Sequence, residues 1–451
     1  MNTYHPLLPK TSSTTSLIIV DVNKDKRSSL ASDVLNAIFC FQGLINRQTS
    51  QKIYLTSVPI RNFPEPAEMF DGQDPARLML ADQLIPFPYE EARLDLSQPW
   101  PALHFLLQHY RHLLKGKIIC ANTPRQSGSV CAAMTAAAFE DALVLTPELD
   151  QKLVQLGLQL PVIAELQAFD NITALQWSMS RYLHHPKRNR QLVGFHWAIQ
   201  NAVMADYWIA TYTFCYYLER ADYAENRMFA HLLDPANYPP ATPNMGAVEG
   251  TKARLTINNL GYRAVCGHIP NGSVTASIPT DPGEFHPAPS PQSVEIRPDG
   301  IYLAWVPAGN GADADALDFG PYLTYPSCRF DSKVGAVPLG LRINPYYMDL
   351  FPSLWAWFTR LHPQTTDLVA AWDDAWIPKT RAGQTAFAQA VKHHIEHANH
   401  SIQVLNIFNF HFFEHYTDIV HETLGHLEPH YIIRGYDGRH YHAEFTFPLW
   451  N

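Results

Sequence analysis

Short apolar runs alternate with amphipathic stretches through the first third of the chain. Residues 17–22 (LIIVDV) form an apolar run that ends in polar residues, as a strand buried in a parallel sheet does. The next apolar positions recur at spacings that place them on one face of a helix: Leu30, Val34, Ile38, Phe41 and Ile45. Later segments predict strands at residues 53–55, 117–120, 142–145 and 161–164, and helices at 130–142, 148–158 and 170–183. This alternation predicts a parallel sheet covered by helices.

The alternation of strands and helices resumes after a polar, proline-containing segment at residues 184–190, where we place a domain boundary. The sequence therefore predicts an N-terminal parallel-sheet α/β domain at residues 1–185 and a second domain at residues 190–451. Seven to nine strands over about 260 residues is the size of a (β/α) TIM-like barrel, and an open doubly wound sheet is the main alternative. The predicted strands are 192–197, 209–216, 245–248, 263–266, 301–306, 336–343, 367–372, 403–410 and 431–434. Helices are predicted at 355–361, 386–397 and 416–427.

Polar side chains follow the carboxyl ends of most strands predicted in the second domain. In a barrel all these ends open on one face, where the loops carry the chemistry. The candidate acids are Glu249, Asp313, Asp315, Asp373 and Asp374. The candidate ligand-orienting residues are His268, Asn271, Asn344, Trp376, His411 and Arg434. Any one of them taken alone is also explained as a turn or a helix cap, because Asp and Asn bond their own backbone.

Paired carboxylates indicate acid–base chemistry, since one can remain protonated while the other is ionised. In glycoside hydrolysis such a pair flanks the scissile bond. We expect one carboxylate from Asp313 and Asp315 to work with one from Asp373 and Asp374, with Glu249 as a reserve acid. Tryptophans near the predicted mouth suit the apolar face of a sugar, although tryptophans in such positions more often pack in the core: Trp197, Trp305, Trp372 and Trp376.

Charge and motif content exclude several functions. The chain has 33 Lys+Arg against 42 Asp+Glu, a net charge of −9, which argues against nucleic-acid binding. We find no apolar stretch of the roughly 20 residues that a membrane span needs, no secretory signal and no paired cysteine spacing, so we expect a cytoplasmic protein with reduced thiols. His393, His397 and His400 are interpreted as a solvated helix stripe rather than a metal site, and no metal or cofactor is predicted.

Several segments, in order, resemble the GxGYxYP family, whose members are inferred to be glycoside hydrolases. They are FQGLINRQTSQKIYLTS, ADYWIATYTFCYYL, GAVEG with VCGHIPNGSVTAS, IYLAWVPAGNGADADAL and PLGLRINPYYMDLFPSLWAWF. The resemblance places Glu249 and Asn271 on family positions and implies a barrel C-terminal domain. The family's DGDN motif corresponds to residues 313–316, which keep both carboxylates, and only Pro378 remains of the pattern that names the family.

The leading hypothesis is therefore a glycoside-hydrolase-like enzyme acting on a sugar or another small polar molecule. The altered motifs motivate a second hypothesis, a non-catalytic binding or accessory protein on the same scaffold. A hydrolase or lyase of a specialised biosynthetic pathway is the third. The sequence leaves the oligomeric state open, and the only partner it predicts is a small-molecule or carbohydrate substrate.

Overall fold

The fold is described from a computed structural model of the 451-residue chain. The residues described are 11–23, 32–58, 74–81, 83–121, 126–189, 192–196, 203–217, 263–265, 270–285, 339–343, 345–361, 366–372, 389–390, 392–398, 402–407, 431–434 and 445–446. They divide into two compact units, one ending at Ile278 and the other beginning at Pro279. The boundary expected near residues 185–190 stays a prediction.

The described strands of the first unit form three parallel sheets of three strands, and each sheet has its earliest strand in the middle. The first sheet has the order β2-β1-β3, with β1 Ser16–Asp21, β2 Gln51–Thr56 and β3 Tyr89–Glu91. The second has the order β5-β4-β6, with β4 Gly116–Ile119, β5 Ala142–Leu145 and β6 Val162–Glu165. The third has the order β8-β7-β9, with β7 Leu192–His196, β8 Phe214–Tyr217 and β9 Arg263–Val265. The shared order is a structural repeat that the sequence pattern did not predict.

Within the described residues, the helices of the first unit are α1 Ser32–Gln48, α2 Pro75–Ala81, α3 Pro101–Tyr110, α4 Ser127–Glu140, α5 Pro147–Gln155, α6 Asn171–Tyr182, α7 Ala205–Ala210 and α8 Gly272–Thr275. A 3-10 helix, Arg111–Leu113, follows α3. Each sheet joins its first two strands through one crossover helix, which is α1, α4 or α7. Thirteen of the seventeen residues of α1 are buried, because α7 packs along it and β5 and α3 cover other parts of its surface.

Arg47 connects the C-terminal ends of these three crossover helices through hydrogen bonds. It lies in the last turn of α1 and donates hydrogen bonds to the carbonyl oxygens of Ala138 in α4 and Ile209 in α7, at 2.6 and 2.9 Å. It also bonds the Asp141 carboxylate at 2.5 Å. Carbonyls in the last turn of a helix have no partner within it, so a buried guanidinium with several donors satisfies them. Arg47 thus holds three helices in one arrangement.

The second unit contains a sheet with the order β10-β11-β12-β13-β14. Its strands are β10 Leu339–Ile343, β11 Thr366–Trp372, β12 Ile402–Ile407, β13 Tyr431–Arg434 and β14 Phe445–Thr446. The first four are parallel and β14 is antiparallel. Helices α9 Tyr347–Leu350 and α10 Pro352–Leu361 connect β10 to β11, residues 392–397 are also helical, and Pro282–Glu284 forms a 3-10 helix.

The expectation of a mixed α/β fold with parallel sheets is confirmed. None of the four sheets closes on itself over the described strands, and a TIM-like barrel is not shown. Three strands expected in the barrel form the separate β8-β7-β9 sheet instead. The strand expected at residues 209–216 begins inside α7, because the chain turns sharply at Tyr212 (φ 53°) before β8. The strands expected at 245–248 and 301–306 and the helix at 416–427 lie outside the described residues.

Candidate functional site

The carboxyl ends of β10 to β13 lie side by side at one edge of the second unit's sheet. Trp372, Ile407 and Arg434 are the last residues of their strands, and the register pairs Trp372 with Ile407 and Ile407 with Arg434. Ile343, at the end of β10, is level with Ala370, two residues before the end of β11. Since neighbouring strands are about 4.8 Å apart, the four ends span roughly 14 Å, the width of a small-ligand site.

Several predicted site residues directly follow these strand ends in the chain. Asn344 comes after β10, Asp373 and Asp374 come after β11, and His411 comes four residues after the end of β12. Arg434 is the last residue of β13, and its backbone is the only part described. Nine candidates lie outside the described residues. They are Asn344, Asp373, Asp374 and His411 together with Glu249, His268, Asp313, Asp315 and Trp376. The roles of these residues therefore stay predictions.

A buried carboxylate–imidazole pair lies in the connections between these strands. Asp349 of α9 follows the end of β10 by six residues, and His394 lies in the helical segment that precedes β12. Their Oδ2 and Nε2 atoms are 2.8 Å apart, and both side chains are fully buried. The ring of Tyr346 meets the imidazole edge-on, with centroids 4.8 Å apart. The pair anchors the chain that leaves β10, and a buried pair of this kind is costly to break.

The histidine stripe differs from its interpretation as a solvated surface. His393 and His397 are half-buried, with ring centroids 4.2 Å apart, and burial lowers the pKa of His393 while the neighbouring histidines lower it further. The buried face of this segment runs through Ala390, His394 and Ala398. The spacing of apolar residues does not predict this buried face, since its central member is a histidine. Among the described residues, no group of three His, Cys, Asp or Glu side chains could hold a metal ion.

Asn271 is the predicted site residue whose side chain the structure describes, and it lies in the first unit. It is 2% exposed and adopts a left-handed backbone (φ 61°) just before α8. Its Oδ1 accepts hydrogen bonds from the Leu55 amide and the Gln42 side chain, both at 2.7 Å. Its Nδ2 donates to the Leu55 carbonyl at 2.9 Å. These contacts give Asn271 a structural role, fastening α8 to β2 and α1, and its role in ligand binding stays a prediction.

Asp206 is the centre of the same buried network. Its Oδ2 accepts hydrogen bonds from the Ser273 amide and hydroxyl, at 2.8 and 2.7 Å, and the Asn46 side chain donates to the same hydroxyl at 2.8 Å. Burial raises the pKa of Asp206 to about 6, although the hydrogen bonds from Ser273 oppose the shift. The Asp206 backbone also lies against Gly43, where an added Cβ would come within 2.5 Å of the Asp206 carbonyl oxygen. A side chain on residue 43 would therefore force α1 and α7 apart.

The network joins three segments that carried the family resemblance. Gln42, Gly43 and Asn46 come from the first segment, Asp206 from the second and Asn271 from the third. These motif residues hold the first unit together through buried hydrogen bonds. In the first unit these residues therefore have a structural role.

A second polar cluster lies at the carboxyl edge of the β2-β1-β3 sheet. Arg77 bonds Glu91 at 2.5 Å and lies 3.7 Å from Asp21. Asp74 accepts hydrogen bonds from the amides of Ser57 and Ala76, at 2.7 and 3.0 Å, which caps α2. Burial raises the pKa of Asp74, and the two amide hydrogen bonds oppose that shift. These groups satisfy one another, so the cluster holds the strand ends together.

The fold and the strand-end edge define a mixed α/β protein with parallel sheets, the class in which ligands bind at the carboxyl ends of strands. No protein-family model matches the chain, and no curated protein gives a significant match. Among solved structures, the fold is similar to that of a protein from Bacteroides thetaiotaomicron described as a "putative hydrolase". The two chains share 15% sequence identity with a TM-score of 0.68, over 97% of this chain and 80% of the other. At this identity the likeness shows a common fold.

No helix within the described ranges has the length and apolar character needed to cross a membrane.

Proposed function

We propose that this protein is a glycoside-hydrolase-like enzyme that acts on a sugar or another small polar molecule. The observation that carries the proposal is the register of β10 to β13, whose carboxyl ends are adjacent. Residues that follow adjacent parallel strand ends share one edge of the sheet. In the chain, Asn344 and Asp373 directly follow β10 and β11, and Arg434 is the last residue of β13. Together they offer amide, carboxylate and guanidinium groups that suit hydroxyl-rich ligands.

In the proposed mechanism two carboxyl groups divide the work. One remains protonated because of burial or a neighbouring negative charge, and it protonates the leaving oxygen. The other is ionised and acts as a base or a nucleophile on the opposite side of the scissile bond. We assign one role to Asp313 or Asp315 and the other to Asp373 or Asp374. Asn344, Trp376, His411 and Arg434, which belong to the same unit, would orient the ligand.

Two further observations support the proposal without naming a substrate. The segments 301–317 and 338–358 resemble the GxGYxYP family, which is inferred to act on glycosides, and the fold is similar to that of a protein described as a hydrolase. The proposal keeps a (β/α) barrel only for the second unit, since the strands at 192–196, 214–217 and 263–265 belong to the first unit. A closed ring there would bring the loop that carries Asp313 and Asp315 to the same mouth as Asp373.

The test measures release of the chromophore from a panel of 4-nitrophenyl glycosides by the wild type and two variants. Asp315→Asn and Asp373→Asn should each lower kcat/KM by at least about a hundredfold, because each removes one acid–base group. The melting temperature of each variant should stay close to that of the wild type. Glu148→Gln, at an exposed position in the first unit, serves as the matched control and should leave the rate unchanged.

Unchanged turnover in both aspartate variants would refute these catalytic assignments. The absence of glycoside turnover, combined with a rise in melting temperature on adding a sugar, would favour the binding-protein hypothesis, since a ligand that binds the native state stabilises it.

A further inference from the structure

A groove of about 350 Å³ lies on the first unit, between helix α3 and the turn that follows α5. Leu103 and Leu107 of α3 line one side of it, and Leu153, Leu156 and Leu158 line the other. We call this cavity the α3 groove. Its volume is in the range of small-molecule sites, which are mostly apolar and contain a few polar groups that fix the ligand.

The α3 groove runs along one face of its helix. Trp100, His104, Leu107 and Arg111 all line it, and they follow one another at spacings of four, three and four residues. At the rise of an α-helix, the distance from the first to the last is about 16 Å. Leucine side chains cannot satisfy the hydroxyl groups of a sugar, so the shape and the lining favour an extended apolar chain.

The charges beside the α3 groove are positive. Arg111 lines one end, and the Nζ atom of Lys152 lies 5.5 Å from the centre of the Trp100 ring at the other end. Within the described part of the chain neither cation forms an ion pair, and no acidic residue lines the groove. Asp95 has an electrostatic interaction with His104, so Arg111 is the lining cation that a ligand can pair with. A negatively charged group therefore complements the groove.

Trp100 has an unusual backbone conformation at the edge of the groove. It lies between Pro99 and Pro101 and is left-handed, with φ 53° and ψ 64°. Few residues with a large side chain adopt this conformation, and strain of this kind is concentrated at functional sites. The Trp100 indole N–H and the Gln108 amide also have no hydrogen-bond partner among the residues that the structure describes. The groove thus offers polar donors beside its apolar walls.

We propose that the α3 groove binds a linear acyl carboxylate, with the chain along α3 and the carboxylate at Arg111. Burial of the chain against Leu103, Leu107 and Leu156 supplies the hydrophobic part of the affinity. The guanidinium group of Arg111 donates paired hydrogen bonds to the two carboxylate oxygens. These residues belong to the first unit, so the site is independent of the catalytic assignments in the second unit.

The test is isothermal titration calorimetry of the full chain with decanoate, at concentrations below those at which it forms micelles. The wild type should bind it with a Kd below about 1 mM. Arg111→Gln should weaken binding by at least about fivefold, because it removes the guanidinium group and keeps a polar side chain. The matched control is Arg181→Gln, which removes the same charge from an exposed position on α6 and should bind like the wild type.

A second pair of variants tests the apolar wall. Leu156→Gln should weaken decanoate binding by at least about threefold, because the chain loses an apolar neighbour. Val162→Gln is its control, since Val162 is as exposed as Leu156 (49% against 48%) and does not line the groove. Decyltrimethylammonium, which has the same chain with a positive charge, should bind at least about tenfold more weakly than decanoate.

Circular dichroism and the melting temperature identify any variant that fails to fold, and the other groove variant then carries the comparison. A wild type that does not bind decanoate overturns the proposal. So does equal binding of decanoate and decyltrimethylammonium, or an equal loss of affinity in the groove variants and their controls. Binding to phosphatidylglycerol vesicles without binding of free decanoate also overturns it, because the site would then recognise a membrane surface. None of these outcomes depends on the proposed enzymatic activity.

Discussion

Replacing Asp206 with Asn should change how the stability of the first unit depends on pH. The Asp206 carboxylate is fully buried, and burial raises its pKa from the usual 3.8 to about 6. Between these two values the folded protein holds a proton that the unfolded chain releases, so the free energy of unfolding falls as pH rises. A shift of roughly two pKa units corresponds to about 3 kcal/mol. This contribution is complete below pH 4 and is lost above pH 6.

Asp206→Asn keeps the shape and the acceptor for Ser273 but cannot ionise. Its added NH2 group replaces Oδ1, which has no hydrogen-bond partner within the described part of the chain. An unsatisfied buried donor costs about 1–3 kcal/mol. We therefore expect the variant to be less stable than the wild type near pH 4 and of similar or greater stability near pH 7.5.

Urea unfolding followed by circular dichroism at half-unit pH intervals measures the effect. The difference in unfolding free energy between variant and wild type should change by about 3 kcal/mol from pH 4 to pH 7.5. Comparing this difference cancels the titration of groups that the two proteins share. A difference that is constant across this range would refute the argument, since it would mean that Asp206 titrates alike in the folded and unfolded states.

Two further substitutions test the packing of the crossover helices. Gly43→Ala should destabilise the protein by about 2–3 kcal/mol in thermal or urea unfolding, because the new Cβ meets the backbone of Asp206 at 2.5 Å. Gly157→Ala, which has open space but a positive φ of 86°, should cost only about 1 kcal/mol, and equal effects would contradict the steric explanation. Arg47→Met should cost about 1–3 kcal/mol because the Ala138 and Ile209 carbonyls and the Asp141 carboxylate lose the hydrogen bonds of the guanidinium, although Lys115 still pairs with Asp141. Arg181→Met, on the surface of α6, should cost less than about 0.5 kcal/mol.

Local patterns in the sequence predicted most single elements of the first unit. The spacing of apolar residues in α1 predicts a helix, and the shortness of the apolar runs in β1, β4 and β5 favours strands; the structure confirms these four predictions. The run at residues 209–216 predicts a strand, because a short and largely apolar stretch lacks the alternation that separates a helix from a strand. The turn at Tyr212 divides it into α7 and β8.

These local patterns do not predict which strands pair with one another. A buried parallel strand is apolar on both faces whichever neighbour it joins, so nothing in the run at 192–196 indicates whether it enters a barrel or a separate sheet. The pairing between Asp349 and His394 was missed for a related reason, since each residue looks like an ordinary helix position until the fold brings them together. The strand-end edge was easier to anticipate, because polar residues follow β10 and β11 directly in the chain.

During synthesis, α1 is complete long before the helices that bury it have been made. Its cover comes partly from α7 and α8, and α8 ends at Thr275, more than 220 residues after α1 itself is complete. At ribosomal rates of about 5–20 residues per second, that stretch takes roughly 10–45 s to emerge. Throughout that interval Gln42 and Asn46 lack the hydrogen-bond partners that Asn271 and Ser273 later provide. The nascent chain therefore exposes the apolar face of α1 early. That face is open to chaperone binding and to aggregation until α8 has left the ribosome.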